Sequence, residues 1–184
     1  MLTARSAQEA WLYMDLRVCD CGAKEFERAH RLEGRAGALV SVYEGTCGRC
    51  GRERAYEFRM TDELPPAPPA FGGDEPSEII DPGEFLWVSD TVGEDAGLRL
   101  LNAPLAEQRQ YRAAWEYSMA ALQEVFKFLP ATADKVPAER FTSERGQELY
   151  RTSPDRFERR WLIDGLARKR RVLAGIDAFS PPSG

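Results

Sequence analysis

The sequence predicts an α+β chain, with a three-stranded antiparallel β-module at the N-terminus followed by a small C-terminal helical bundle. Three observations carry this expectation. Residues that favour strands cluster in short runs between positions 25 and 60, prolines at 65, 66, 68 and 69 interrupt every pattern, and apolar residues beyond position 80 recur at helical intervals. A chain of 184 residues with 43% hydrophobic and 10% aromatic residues has the composition of a folded protein. Its 30% charged residues and mean hydropathy of -0.48 imply a heavily solvated surface.

The elements follow in order along the chain. Ser6 and Glu9 stand in capping-box spacing, and Ala7, Ala10, Trp11 and Met14 then share one helical face, which predicts a short opening helix over Ser6 to Leu16. Alternation over Glu25 to Leu32, with Ala38 to Tyr43 and Arg52 to Met60 rich in β-formers, predicts a three-stranded meander. Gly34 and Gly37 mark its first turn, and Gly48 and Gly51 the second. Residues 61–78 then read as a Pro/Gly-rich linker between an N-terminal domain, 1–60, and a helical domain, 79–177, with a flexible tail at 178–184. Within the helical domain, Asp81, Pro82 and Glu84 predict the start of a short helix. Pro104 opens a long one to about Leu129, with a stripe of Tyr111, Trp115, Leu122, Phe126 and Leu129. Thr142 or Ser143 caps another helix through about Tyr150, and Ser153-Pro154 opens the last.

Four cysteines carry the chemical signal: Cys19-Asp20-Cys21-Gly22 and Cys47-Gly48-Arg49-Cys50-Gly51. Met1 to Ala10 contains no apolar run long enough for a signal peptide, so the expected compartment is the cytoplasm, where thiols stay reduced and paired cysteines serve as metal ligands. Zinc takes four thiolates in a tetrahedron, and two tight turns can aim two sulfurs each at one point. Glycine after each pair lets the backbone bend so that N–H groups approach the sulfurs. A redox dithiol at Cys47 and Cys50 is the competing reading, but that motif normally opens a helix, whereas here it lies between expected strands.

Over about Cys19 to Met60 these residues resemble the zinc ribbon superfamily, in which two cysteine knuckles hold a structural zinc. Cys47, Cys50 and Gly51 fit the usual Cys-x-x-Cys-Gly knuckle, while the first pair has one residue between its cysteines. The resemblance implies a metal and a fold, and leaves the task open.

The remaining candidates have simpler readings. His30, the sole histidine, is expected as a strand surface or packing residue, since four cysteines already complete a tetrahedron. Asp81 with Glu84 is expected to cap a helix rather than form an acid-base pair, and Trp115, Tyr111 and Phe126 to pack a core. Arg49, Arg52 and Arg54 near the second knuckle, with Arg168, Lys169, Arg170 and Arg171 on the last helix, are the possible nucleic-acid contacts. Residues 61–98 hold ten acidic and no basic residues, while 151–184 hold eight basic and four acidic. The net charge of -5 argues against broad affinity for nucleic acid.

With no phosphate loop, nucleophile elbow or open metal signature, the leading expectation is a non-catalytic zinc protein. It would dock a protein partner as an adaptor or inhibitor through the acidic stretch Asp62 to Asp95, away from any membrane. A nucleic-acid-binding regulator is the alternative, and an enzyme stands third.

Overall fold

The computed structural model describes residues 1–61, 67–104 and 107–179. The chain divides into two compact units, Met1–Ile80 and Asp81–Gly184.

In the first unit, β1 (Leu2–Ala4) precedes α1 (Ala7–Leu16), and β2 (Ala29–Arg35), β3 (Ala38–Thr46) and β4 (Glu53–Met60) follow. The sheet order is β1-β4-β3-β2, antiparallel among β2, β3 and β4. β1 runs parallel to β4, with Leu2 opposite Phe58 and Ala4 opposite Met60. The expected three-stranded antiparallel sheet is therefore corrected to a four-stranded mixed one. Leu-Thr-Ala is too short to display an alternation, yet it covers the edge that β4 would otherwise expose.

Local chemistry explains the elements. Ser6 caps α1 by accepting the Glu9 N–H at 3.0 Å. The Glu9 carboxylate turns instead to the Arg5 backbone at 2.6 Å and the Arg5 guanidinium at 2.9 Å. Ala36 and Gly37 both have positive φ, 49° and 82°, forming the two-residue turn whose twist matches a β-hairpin. α1 packs Ala10 and Met14 on the sheet face bearing Tyr43 and Phe58, with Ala4 and Phe26 completing the core. Trp11, expected on that apolar face, is 55% exposed and donates its indole N–H to the Tyr43 hydroxyl at 3.1 Å.

Residues 67–80 are built onto this unit. Phe71 is buried, its carbonyl accepts the Ser6 hydroxyl at 2.6 Å, and the Pro69 carbonyl accepts from Gln8 at 2.9 Å. The Ser77 hydroxyl accepts the Ile80 N–H at 3.0 Å, where the unit ends. Of the proline-rich stretch, residues 62–66 lie outside the described residues, as do 180–184 of the expected tail.

The second unit is helical: α2 (Pro82–Asn102), α3 (Gln108–Lys127), α4 (Glu144–Thr152) and α5 (Arg159–Phe179), with 3-10 turns at Ala138–Arg140 and Pro154–Phe157. α3 packs against both α2 and α5 around Phe85, Leu86, Leu122, Val125 and Leu162. Asp81 and Glu84 form the expected capping box, but the helix they start runs 21 residues rather than a short span. Gly93 lies within it, where the Lys169 ammonium and Ser118 hydroxyl would each stand 2.7 Å from a Cβ. The next helix begins at Gln108, later than Pro104, and buries Ala121, Leu122 and Val125 while Tyr111, Trp115 and Phe126 stay half-buried. Among the described residues, no helix is long and apolar enough to cross a membrane.

Candidate metal centre

Two turns from distant parts of the sequence meet in the first unit. Cys19 and Cys21 lie between α1 and β2, where the Cys19 carbonyl accepts the Gly22 N–H at 2.7 Å and Gly22 has a φ of 82°. Cys47 and Cys50 lie between β3 and β4, where the Cys47 carbonyl accepts the Gly51 N–H at 2.8 Å and Gly51 has a φ of 71°. A side chain at either glycine would be strained in that left-handed conformation.

The four sulfurs converge, all lying within 4.8 Å of one another. Across the two turns, the Cys19 and Cys50 sulfurs are 3.6 Å apart, and so are those of Cys21 and Cys47. A disulfide requires about 2.05 Å, so these are free thiols. Four sulfurs about 2.3 Å from a central ion stand about 3.8 Å from each other, close to the observed separation. The donor set fits a thiophilic metal ion.

The surroundings favour anionic sulfur at Cys47 and oppose it at Cys50. The N–H groups of Cys50 and Arg49 point at the Cys47 sulfur and lower its pKa from 9.0 to about 6. Cys50 accepts the Arg52 N–H, which lowers its pKa, but the thiols of Cys21 and Cys19 together with lost solvation push it up to about 11. Cys19 and Cys47 are buried, Cys21 is half-buried and Cys50 is exposed, so the centre sits at the surface.

Comparison of the chain with protein-family models, curated proteins and solved structures finds no match.

The arginines near the second cysteine pair divide by role. Arg54 is buried, with its guanidinium donating to the carbonyls of Arg17, Lys24 at 3.2 Å and Met14 at 3.5 Å, and to the Tyr56 hydroxyl at 2.7 Å. It also lies 4.2 Å from the Phe26 ring centroid. This side chain thereby ties the end of α1 and the loop carrying Cys19 and Cys21 to β4. Arg49 is exposed and donates to the Cys21 carbonyl at 3.0 Å, while exposed Arg52 pairs with Asp20. Each of the three thus contacts the segment that presents the first cysteine pair. Nothing in the sequence pattern marks Arg54 for this task, because arginine between strand residues normally faces solvent.

On α5, Arg168, Arg170 and Arg171 are exposed. Lys169 differs: its ammonium donates to the Ser118 hydroxyl and to the Ser89 carbonyl at 3.2 Å, and sits 5.0 Å from the Trp115 ring centroid. Burial lowers its pKa. It borders an open groove of about 370 Å³ that Trp115, Trp161 and Asp90 also line. His30 stacks on Tyr43 with 4.5 Å between centroids, and its Nε2 lies 2.8 Å from the Ser41 hydroxyl. It forms no part of the cysteine cluster.

Proposed function

We propose that Cys19, Cys21, Cys47 and Cys50 hold a structural zinc ion in a zinc-ribbon-like centre, and that the protein is a non-catalytic docking protein, an adaptor or inhibitor, working in the cytoplasm. The convergence of four free thiols within 4.8 Å carries this reading. Four sulfur donors complete a tetrahedron and leave no position for an activated water or a polarised carbonyl, so the metal serves the fold. Its binding energy substitutes for core that a small β-module lacks, with structural zinc contributing on the order of 10 kcal/mol of apparent folding free energy.

The acidic stretch is the proposed contact for a basic protein partner. Its exposed carboxylates include Asp74, Glu75 and Glu78 in the first unit and Glu94 and Asp95 on α2, while Asp81 and Glu84 are buried in a helix cap. Residues 62 and 63 lie outside the described residues. The alternative is a nucleic-acid-binding regulator, supported by the exposed run of Arg168, Arg170 and Arg171.

Co-purification of the intact chain from its own cells tests the two readings. A bound protein that is released by salt, and lost when Asp74, Glu75 and Glu78 are replaced by Lys, supports docking. Recovery of nucleic acid whose affinity falls steeply with salt supports the alternative, and a catalytic turnover of any bound small molecule contradicts both.

A further inference from the structure

β2 is the last strand in the sheet order, so its outer row of backbone N–H and C=O groups faces away from any other strand among the described residues. Such an edge is a template for another chain. All seven residues of β2, Ala29–Arg35, are exposed or nearly so, with Leu32 at its midpoint 56% exposed.

We propose that β2 pairs antiparallel with β2 of a second copy, Leu32 against Leu32, joining two four-stranded sheets into one continuous sheet across a two-fold axis. Charge complementarity selects this partner, and together with the leucine pair it selects this register. With Leu32 on the axis, Arg31 of each copy stands opposite Glu33 of the other, and the two-fold repeats the pair. Both side chains are accessible: Arg31 and Glu33 are 47% and 30% exposed, lying 2.6 Å apart along the strand. His30 then stands opposite Gly34, where a Cβ would meet nothing within 4 Å, leaving room for the imidazole. Leu32 shares its sheet face with Leu39, which is 49% exposed, because Leu32 is paired with Ser41 and Gly34 with Leu39. Pairing across the axis removes this apolar surface from water.

Neighbouring registers fail. Moving the axis to Arg31 sets two arginines face to face, and moving it to Glu33 sets two glutamates face to face and Arg31 against Arg35. A half-step sets Leu32 against Glu33. An axis at Gly34 also sets Glu33 against Arg35, but it places Leu32 against Ala36 and Arg31 against Gly37 of the turn, so only the axis at Leu32 joins the charge pairs to a leucine pair within the strand.

Sedimentation equilibrium of the intact, metal-loaded chain over about 1 to 200 µM tests the proposal, a range suited to a small interface. The wild type is expected to approach twice 20.7 kDa with rising concentration. Arg31→Glu and Glu33→Arg each return the mass to that of a monomer, and the double variant restores the dimer. Mixing the two single variants also restores it, because one copy then carries two glutamates and the other two arginines. Leu32→Asp, which leaves the ion pairs alone, yields a monomer as well. Circular dichroism and metal content matching the wild type establish that the variants fold. A wild type that stays monomeric throughout, single variants that still dimerise, or mixed singles that do not associate overturns the proposal.

Discussion

Arg54 shows how one side chain positions a cysteine cluster it does not touch. Its guanidinium donates to the carbonyls of Arg17 and Lys24, on either side of the first cysteine pair, and to that of Met14, which also accepts the Arg17 N–H at 3.3 Å. Arg54→Met removes these bonds from a buried side chain and is expected to destabilise the first unit by about 3 kcal/mol. The same change is expected to weaken metal affinity by about tenfold or more, read by chelator competition, because the loop bearing Cys19 and Cys21 loses its anchor. The thiols set the pH dependence. The folded chain holds the Cys47 pKa down at about 6, so the thiolate is favoured at neutral pH and above, and that advantage is lost as pH falls through about 6. Zinc affinity measured by competition is therefore expected to fall on acidification, and more steeply below pH 6. The cysteine cluster was legible because cysteines are few and their spacing and glycines are specific. Arg54 and Lys169 were not, because burial of a cation depends on carbonyls and hydroxyls supplied by distant segments.

Among the elements, the N-terminus of α2 is a junction. The Asp81 carboxylate accepts the Glu84 N–H at 2.9 Å with one oxygen, and the N–H groups of Thr142 at 3.0 Å and Ser143 at 2.7 Å with the other. It caps its own helix and also fixes the chain entering α4, whose cap is Ser143. Asp81→Ala removes all three bonds from a buried position and is expected to cost about 2 to 4 kcal/mol, more than loss of an ordinary cap, read by urea denaturation of the helical signal. A cost below about 1 kcal/mol would show that the carboxylate acts at α2 alone. The caps at Ser6, Asp81 and Ser143 could be read in advance because capping is local chemistry. Helix length could not. At Gly93, inside α2, Ser118 and Lys169 from α3 and α5 fill the space a side chain would take, a contact set by helices far away in the sequence. β1 escaped for a related reason, since its pairing with β4 joins the first residues to ones more than fifty positions away.

For the whole molecule, two compact units with different sources of stability predict two transitions. The first, Met1–Ile80, carries the cysteine cluster beside a small core of Met14, Phe26, Tyr43 and Phe58, whereas the second, from Asp81 onward, has an apolar core around Phe85, Leu122, Phe157 and Leu162. A strong chelator under reducing conditions is expected to unfold the first unit and leave most of the helical circular dichroism, because α2, α3, α4 and α5 all lie in the second. Full loss of helix in a single transition would mean that the units do not fold independently. The α+β class and the order of β-module and helices were readable from periodicity, but the sheet's mixed character required knowing which segments meet. The most direct measurement is X-ray absorption at the zinc edge on protein purified without added metal. The account predicts one zinc per chain with four sulfur neighbours at about 2.3 Å. A chain that carries no zinc while all four thiols are reduced, or a zinc bound through nitrogen or oxygen, would contradict it.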